Sequence, residues 1–562
     1  MNDSTVIRRV GARLPAGDHQ SEADWAPNSH EIVIGKDVLE LLSSSMYVDP
    51  MTIYREYIQN AADAIDEARE GNLASAGTGK VEIDIDAASR SIKIRDNGAG
   101  LTWKDFPIRL SNLGASAKRG TSARGFRGVG RLAGLGYCQE LVFRSRAPGE
   151  VHVSELRWDC RRLKSALRTT EFDKDVVALV REIVSIRRIR AGSFPERFFE
   201  VELKGVVRHR NDRLLSPQLI SQYLSQVAPV QFSPEFRFGA EINAALRPHV
   251  ALGDLEIRIN GSEPICRPHQ NRIQTSGDRF DEVTGVVLHE ITGLDDNLAA
   301  IVWILHHGYS GAIPNGALTK GIRLRSRNLQ VGDHALLEEQ FPEPRFNAWA
   351  IGEVHVIDSR IVPNGRRDHF EQSVHLDNLI NKIGPIIRDI ARRCRQSSIT
   401  RKWLRDFELH KLAAIEKASV VARGGLSKVT RKTHADSAIK SLAAMQKVVN
   451  QRDLSDQTRN ALASEAKSVE GRVTRLLGAY TQKSDPLERY QSGTRSAYQR
   501  IIGLIYECTT NRAAASALVN KILAKLEETP AANSSIRRSK SRKRTRPSIK
   551  KAKKPRVKTG NL

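Results

Sequence analysis

Between residues 51 and 70 apolar positions recur at helical spacing. Ile53, Tyr57, Ala61, Ala64, Ile65 and Ala68 fall on one side, and Glu56, Asn60 and Asp63 line another. The pattern predicts an amphipathic helix stopped by Gly71, with another helix upstream over "IVIGKDVLELLSSSMY". The period then drops to two. Val81, Ile83 and Ile85 alternate with charges, as do Ile92 and Ile94, so "KVEIDIDAASRSIKIRDNGAG" reads as a β-hairpin. "ELVFRSRA" and "FFEVELKGV" read as further strands. A later group, "LEIRING", "EVTGVVLHEI", "AAIVWILHHG" and "AWAIGEVHVID", reads as the strands of a second unit, closed by a helix over "HLDNLINKIGPIIRDIARRCRQ". Beyond residue 399, "AIKSLAAMQKVV", "QTRNALASEAKSVEGRVTRLLGAY" and "AAASALVNKILAKLEE" are amphipathic and helical, a bundle or a coiled pair.

These patterns predict an α+β protein with five parts: a flexible N-terminus (1–30), a first α/β domain (31–245), a second α/β domain (246–398), an α-helical region (399–530) and a basic tail (531–562). Charge sharpens the last boundary. The formal net charge is +25, and residues 537–558 alone hold 13 cations and no acid, leaving +12 for the rest. Such a tail is too charged to pack and is expected to be disordered. At 40% hydrophobic residues, the remainder has material for real cores. The five cysteines are scattered, with no CxxC pair, which suits a reducing cytoplasm and disfavours a zinc site. No apolar h-region opens the chain, and the longest apolar run, "LAAIVWIL", is too short to span a bilayer, so neither a signal peptide nor a membrane segment is expected. His306 and His307 lack a carboxylate or cysteine at ligand spacing and read as ordinary strand-end histidines.

Three segments carry candidate chemistry. The first is the polar helix face with Glu56, Asn60 and Asp63 one turn apart; alone, it is an ordinary solvated face. The second is "IRDNGAGL" (94–101), where Asp96 closes a strand and Gly98 and Gly100 let the backbone approach something flat; alone, it is an ordinary hairpin turn. The third is "GFRGVGRLAGLG" (125–136), in which Gly125, Gly128 and Gly130 precede apolar helix formers, a combination suited to an anion at a helix N-terminus. It is neither a Rossmann order nor a Walker motif.

In this order and within about 75 residues, E-x-x-x-N-x-x-D-A, D-x-G-x-G and the glycine loop resemble the ATP-binding fold shared by DNA gyrase, heat shock protein 90, histidine kinases and MutL. The HtpG-type heat shock protein 90 chaperones are the nearest match, through "LLSSSMYVDPMTIYREYIQNAADAIDEA" and "RDNGAGLTWKDF...SNLGASAKRGT". The resemblance implies a Bergerat-type α/β sandwich with ATP and Mg²⁺ as ligands. It assigns Glu56 as the general base toward water and Asn60 as the metal-holding amide. Asp96 becomes the acceptor for the adenine amino group, with Gly98 and Gly100 shaping the base pocket and Asp63 supporting it. Asn112 and Lys118 become lid contacts, and Gly125, Gly128 and Gly130 wrap the triphosphate. In "IVPNGRRDHFEQS" (361–373), Arg367, or failing it Arg366, would reach the γ-phosphate; alone, this stretch is a solvated basic turn. "TKGIRLRSRNLQVGD" fits the same domain type or a surface strand. Arg131 stands where the chaperones carry an aromatic, and Phe199 where the superfamily has an adenine-facing threonine, so no adenine contact is assigned from that strand.

Two functions follow. One is an ATP-hydrolysing chaperone, cytoplasmic, in which nucleotide closes a lid and joins two N-terminal domains of a homodimer around client proteins. The other is an ATP-gated nucleic-acid clamp resembling MutL or the Morc ATPases, holding DNA or RNA through the basic body and tail.

Overall fold

The computed structural model describes residues 49–73, 79–111, 130–168, 176–209, 211–250, 252–276, 279–482 and 485–528. The upstream helix, the lid segment and the basic tail therefore lie outside the described residues. The chain divides into two compact units, Met1–Arg395 and Gln396–Leu562.

In the first unit, helix α1 (Thr52–Glu70) is followed by strands β1 (Gly79–Asp86) and β2 (Ser91–Asp96), a short helix α2 (Asp105–Ser111), β3 (Glu140–Arg146) and β4 (His152–Asp159). Helices α3 (Cys160–Arg168) and α4 (Val176–Ile183), strands β5 (Val184–Arg190) and β6 (Phe198–Lys204), helices α5 (Pro217–Val227) and α6 (Gly239–Leu246) and strand β7 (Leu255–Ile259) complete the first layer system. β1 and β2 pair as the expected hairpin, Ile83 opposite Ile94, with Asp86 capping the turn through the amides of Ala88 and Ser89. The sheet has seven strands in the order β5-β4-β3-β6-β2-β1-β7.

Its two faces differ. One carries Val81, Ile83, Ile92, Ile94, Leu141, Phe143, Leu156, Trp158, Val201 and Leu203, which share a buried core with Ile58, Ala61, Ala62 and Ile65 of α1. The other carries a row that crosses every strand in register: Arg187, Glu155, Arg144, Glu200, Arg95, Glu82 and Arg258. Arg144 bonds Glu155 and Glu200 at 2.7 Å each, and Arg95 bonds Glu200 at 2.5 Å. Cross-strand pairs of opposite sign replace the apolar cover that this face lacks.

Two expectations change here. β7, read as part of the second unit, pairs in parallel with β1, Ile257 opposite Val81. Its alternation (Leu255, Ile257 and Ile259 inward) fits any half-buried edge, so pattern alone does not choose the sheet. And α1 is not one-sided: Arg55, Glu56, Gln59 and Asp63 are buried along with its apolar residues.

Strands β8 (Arg272–Gln274) and β9 (Phe280–Glu282) form a small hairpin. β10 (Gly285–Thr292), β11 (Leu298–His306), β12 (Gly321–Ser326), β13 (Leu329–Val331) and β14 (Ile351–Val356) build a second sheet in the order β10-β11-β14-β12-β13. Its core includes Ile322, Leu324, Val354 and the opening turns of helix α7 (Val374–Arg423), through Leu379, Ile383, Ile387 and Ile390. α7 runs 50 residues with Pro385 inside it, far past the expected end. Arg323 and Arg325 of β12, in the segment for which a surface strand is one of two expectations, are 4% and 1% exposed. They sit with Arg267 around Glu353, whose carboxylate takes Arg267 and Arg325 at 2.6 Å each and His355 at 3.0 Å.

In the second unit the C-terminal part of α7 packs Phe407, Ala414 and Ala418 against α8 (Lys428–Val449) and α9 (Asp456–Gln482). Ser427 caps α8 by accepting from the Thr430 amide. α10 (Ser492–Cys508), absent from the pattern reading, pairs with α11 (Arg512–Glu528) through Ile502, Tyr506, Ala515, Val519 and Leu523. The region is a bundle of helices. Among the described residues no helix is long and apolar enough to cross a membrane.

Candidate active site

α1 is held at both flanks by tyrosines. The Tyr54 hydroxyl donates to Leu214 O at 2.6 Å. The Tyr57 hydroxyl accepts from the Gly134 amide at 3.0 Å and lies 3.3 Å from Arg131 O, which it reaches as donor. These bonds fix the rotation of the helix, so Glu56, Asn60 and Asp63 face one direction. Glu56 and Asp63 are buried and Asn60 is half-buried.

Asp96 ends β2 on the core face of the sheet, with Phe199 of β6 as its cross-strand neighbour. Its Oδ1 accepts the Gly98 amide at 2.9 Å, and the Ala99 amide donates to Ala64 O of α1 at 2.9 Å. The strand end is thus strapped to the helix. A Cβ on Gly98 would lie 2.7 Å from Ala64, and one on Gly100 (φ +69°) would lie 2.1 Å from Arg146 O. Both glycines are demanded by close backbone approach.

Gly130 closes the glycine loop directly on the helix: a Cβ there would lie 2.2 Å from Glu56 Oε2. Gly125, Gly128, Asn112 and Lys118 lie outside the described residues. Arg131 follows Gly130; burial, with the neighbouring Arg109 adding to it, pulls its guanidinium down to about 10.

Arg367 comes from the other sheet's side of the unit. Residues 363–370 form a tight turn, with Pro363 bridging Phe370 and the Arg367 amide donating to Asn364 O at 3.1 Å. Arg367 has φ +56°, a strained conformation for a side chain of this size. It is buried while Arg366 is exposed. Its Nε lies 4.0 Å from Glu56 Oε1, and Arg55 Nε lies at the same 4.0 Å. Arg55 also holds the turn itself, donating to Arg366 O at 2.8 Å and to Arg367 O at 3.4 Å.

Glu56, Gly130 and Arg367 therefore meet, while Asp96, Gly98 and Ala64 meet one end of the helix away. Arg55 is the participant that pattern reading missed. One residue before Glu56, it sits 100° round the helix, where its partner is a turn more than 300 residues downstream and gives no local signal. Gln59, 2% exposed with its Oε1 lacking a hydrogen-bond partner, was missed likewise.

The donor set can be tested for Mg²⁺. That ion takes one or two protein oxygens and otherwise phosphate oxygens and water. Asn60 offers one amide oxygen a turn from Glu56, and among the described residues no cluster of three or more His, Cys, Asp or Glu forms a metal cage. This set fits a magnesium ion carried in on phosphates. Elsewhere, His307 is locked between Asp281 (2.9 Å) and Trp349 O (2.9 Å), and His306 bonds Tyr309 at 2.7 Å.

Residues 52–182 match the family described as histidine kinase-, DNA gyrase B-, and HSP90-like ATPase. An endoplasmin homolog of Arabidopsis thaliana is 33% identical over 129 residues, 22% of this chain and 15% of that protein. The chaperone protein HtpG of Polaromonas naphthalenivorans is 26% identical over 201 residues, 33% of this chain and 31% of that protein. HtpG of Coxiella burnetii is 31% identical over 147 residues, 22% of each. The chain thus spans less than a third of the length of these relatives, and the match to the ATPase family is confined to residues 52–182.

Proposed function

We propose that this chain binds and hydrolyses ATP with Mg²⁺ and works as a cytoplasmic molecular chaperone of the HtpG type. One observation carries the reading: Glu56 on α1 and Arg367 from the distant turn converge to 4.0 Å beside Gly130. In the reaction, a water oxygen attacks the γ-phosphorus, Glu56 takes the water proton, and the bond to the ADP oxygen breaks. Arg367 stabilises charge on the transferring phosphoryl oxygens. Asn60 holds the magnesium ion, which neutralises phosphate charge when bound. Asp96 accepts from the adenine amino group, with Asp63, Gly98 and Gly100 shaping that end, and Gly125, Gly128, Gly130, Asn112 and Lys118 serving the phosphates and lid. Nucleotide binding then closes the lid and joins two copies at their N-terminal domains, a shift of population that client proteins sense.

The test is Glu56→Ala. It should bind ATP with wild-type affinity in calorimetry and release phosphate at least about a hundredfold more slowly, the range for removing a general base. Full turnover by this variant would overturn the assignment.

A second reading, an ATP-gated nucleic-acid clamp, is favoured by where the charge lies. Residues 1–395 hold 53 Lys and Arg against 51 Asp and Glu, whereas 396–528 hold 23 against 13 and the remaining 34 hold 13 against none. All but +2 of the basic excess belongs to the helical region and tail, as a phosphate-binding module would have it. Duplex DNA affinity that falls steeply with salt and persists after deletion of 531–562 would support this reading; no binding at low salt would dismiss it.

A further inference from the structure

Besides the two bonds from Arg55, the turn that carries Arg367 is tied to the interior by a line of hydrogen bonds through Gly332. Arg367 O accepts from the Gly332 amide at 2.8 Å. Gly332 has φ +67°, and a Cβ on it would lie 2.9 Å from Asp368 O, so the two turns are in backbone contact. Gly332 O in turn accepts from Gln330 Nε2 at 2.9 Å. The other end of that amide, Oε1, accepts from Arg323 Nη1 at 2.9 Å. Arg323 is anchored by two more bonds, to Gln226 Oε1 at 3.0 Å on the last turn of α5 and to Leu318 O at 2.8 Å. Gln330 and Arg323 are each 4% exposed. None of these groups has a role in the reaction as described.

We propose that Gln330 is a positioning residue for Arg367. It transmits the fixed location of Arg323 to Gly332, whose amide holds the Arg367 carbonyl and with it the left-handed backbone that aims the guanidinium at Glu56. The residue type follows from the bonds. An acceptor is required toward the guanidinium and a donor toward the Gly332 carbonyl, and a primary amide supplies both ends. A glutamate keeps the first bond, now charge-assisted, and sets oxygen against oxygen at the second. The inference rests on the ATPase reading for its consequence, though not for its geometry.

Gln330→Glu in the full chain is the test, because it preserves volume and the buried bond to Arg323. Three readouts apply. In hydrogen exchange followed by mass spectrometry, the peptides covering Gly332 and 364–369 should exchange about tenfold faster or more, as for a locally opened segment. In steady-state hydrolysis, kcat should fall about ten- to a hundredfold, as for a misplaced catalytic group, while KM and calorimetric affinity for ATP stay within about twofold. In an Arg367→Ala background the change should add nothing further to kcat. Unchanged exchange overturns the proposal. So does faster exchange with unchanged kcat, and so does a parallel loss in kcat and ATP affinity with a lowered melting temperature, which marks a merely structural residue. Wild-type protein that hydrolyses no ATP would instead overturn the ATPase reading, and the exchange result would still decide whether Gln330 holds the turn. Gln330→Leu, which removes both bonds, should show the same exchange effect.

Discussion

Arg367→Ala isolates the contribution of the residue that the structure brings from farthest away. The guanidinium is 4.0 Å from the Glu56 carboxylate, and the two side chains are 11% and 8% exposed. We take the same distance for a γ-phosphoryl group bound beside Glu56. At 4 Å and an effective dielectric constant of about 20, one unit charge contributes about 4 kcal/mol. That agrees with the roughly 3–4 kcal/mol lost when one preorganised donor to developing charge is removed. At 1.36 kcal/mol per decade, kcat should fall about 10²- to 10³-fold. A donor aimed at charge that develops during transfer lowers kcat rather than binding, so KM should move by less than about threefold. Single-turnover phosphate release at saturating ATP, with steady-state KM alongside, measures both. Arg367→Lys should recover part of the loss, because the charge returns without the planar fork. A kcat within threefold of wild type, or an equal loss in kcat and binding, would refute the reasoning and leave Arg367 as a structural residue of the turn.

Gly130→Ala should slow hydrolysis with little loss of stability, since its Cβ would meet only the movable Glu56 carboxylate, at 2.2 Å; Gly100→Ala, facing the Arg146 carbonyl at φ +69°, should instead destabilise the fold by about 1–3 kcal/mol. The two are separated by comparing phosphate release with urea unfolding. Glu353→Ala leaves the buried guanidiniums of Arg267 and Arg325 without their carboxylate and should cost about 3–5 kcal/mol in the same unfolding experiment; a loss below about 1 kcal/mol would contradict this. Stability should also fall in mild acid. Burial lowers His269 to about 3 and, against the opposing pull of Glu353, lowers His355 to about 4. The folded state keeps both neutral while the unfolded chain protonates them below about pH 6.5, so their contribution is complete above that pH and declines below it, by up to about 1.4 kcal/mol per pH unit each, until the folded values are reached. Urea midpoints between pH 7 and pH 4 test the slope.

Much of the first layer was legible because its signals are local. The alternation of Val81, Ile83, Ile92 and Ile94 identifies the hairpin, and the 3.6-residue recurrence from Ile53 to Ala68 identifies α1, ended at Gly71 as expected. The glycines of 94–101 were legible from their spacing after Asp96, although the backbones they make room for, at Ala64 and Arg146, lie far along the chain. What escaped depends on distant partners. Arg323 and Arg325 alternate like surface residues, and only Arg267 and Glu353, brought from elsewhere in the chain, make their burial tolerable. Arg55 looks like a helix-surface charge until the 366–367 carbonyls are present. The choice between Arg366 and Arg367 turns on one left-handed residue that the string "NGRRD" does not announce. α10 went unread although its apolar residues, Ile502 and Tyr506 among them, do gather on one buried side.

The alternating row on the outer face of the first sheet has a consequence that comes from counting. Seven is odd, so a row that changes sign at every strand begins and ends alike, and here both terminal members, Arg187 on β5 and Arg258 on β7, are positive. The β7 rim is already engaged, Leu255 N donating to Pro229 O and Ile265 N to Ile257 O at 2.9 Å each, so the open rim is that of β5, where two copies meeting would bring Arg187 against Arg187. Parity thus sets like charge at the one open rim, which opposes lengthening there, while folded-back chain closes the other.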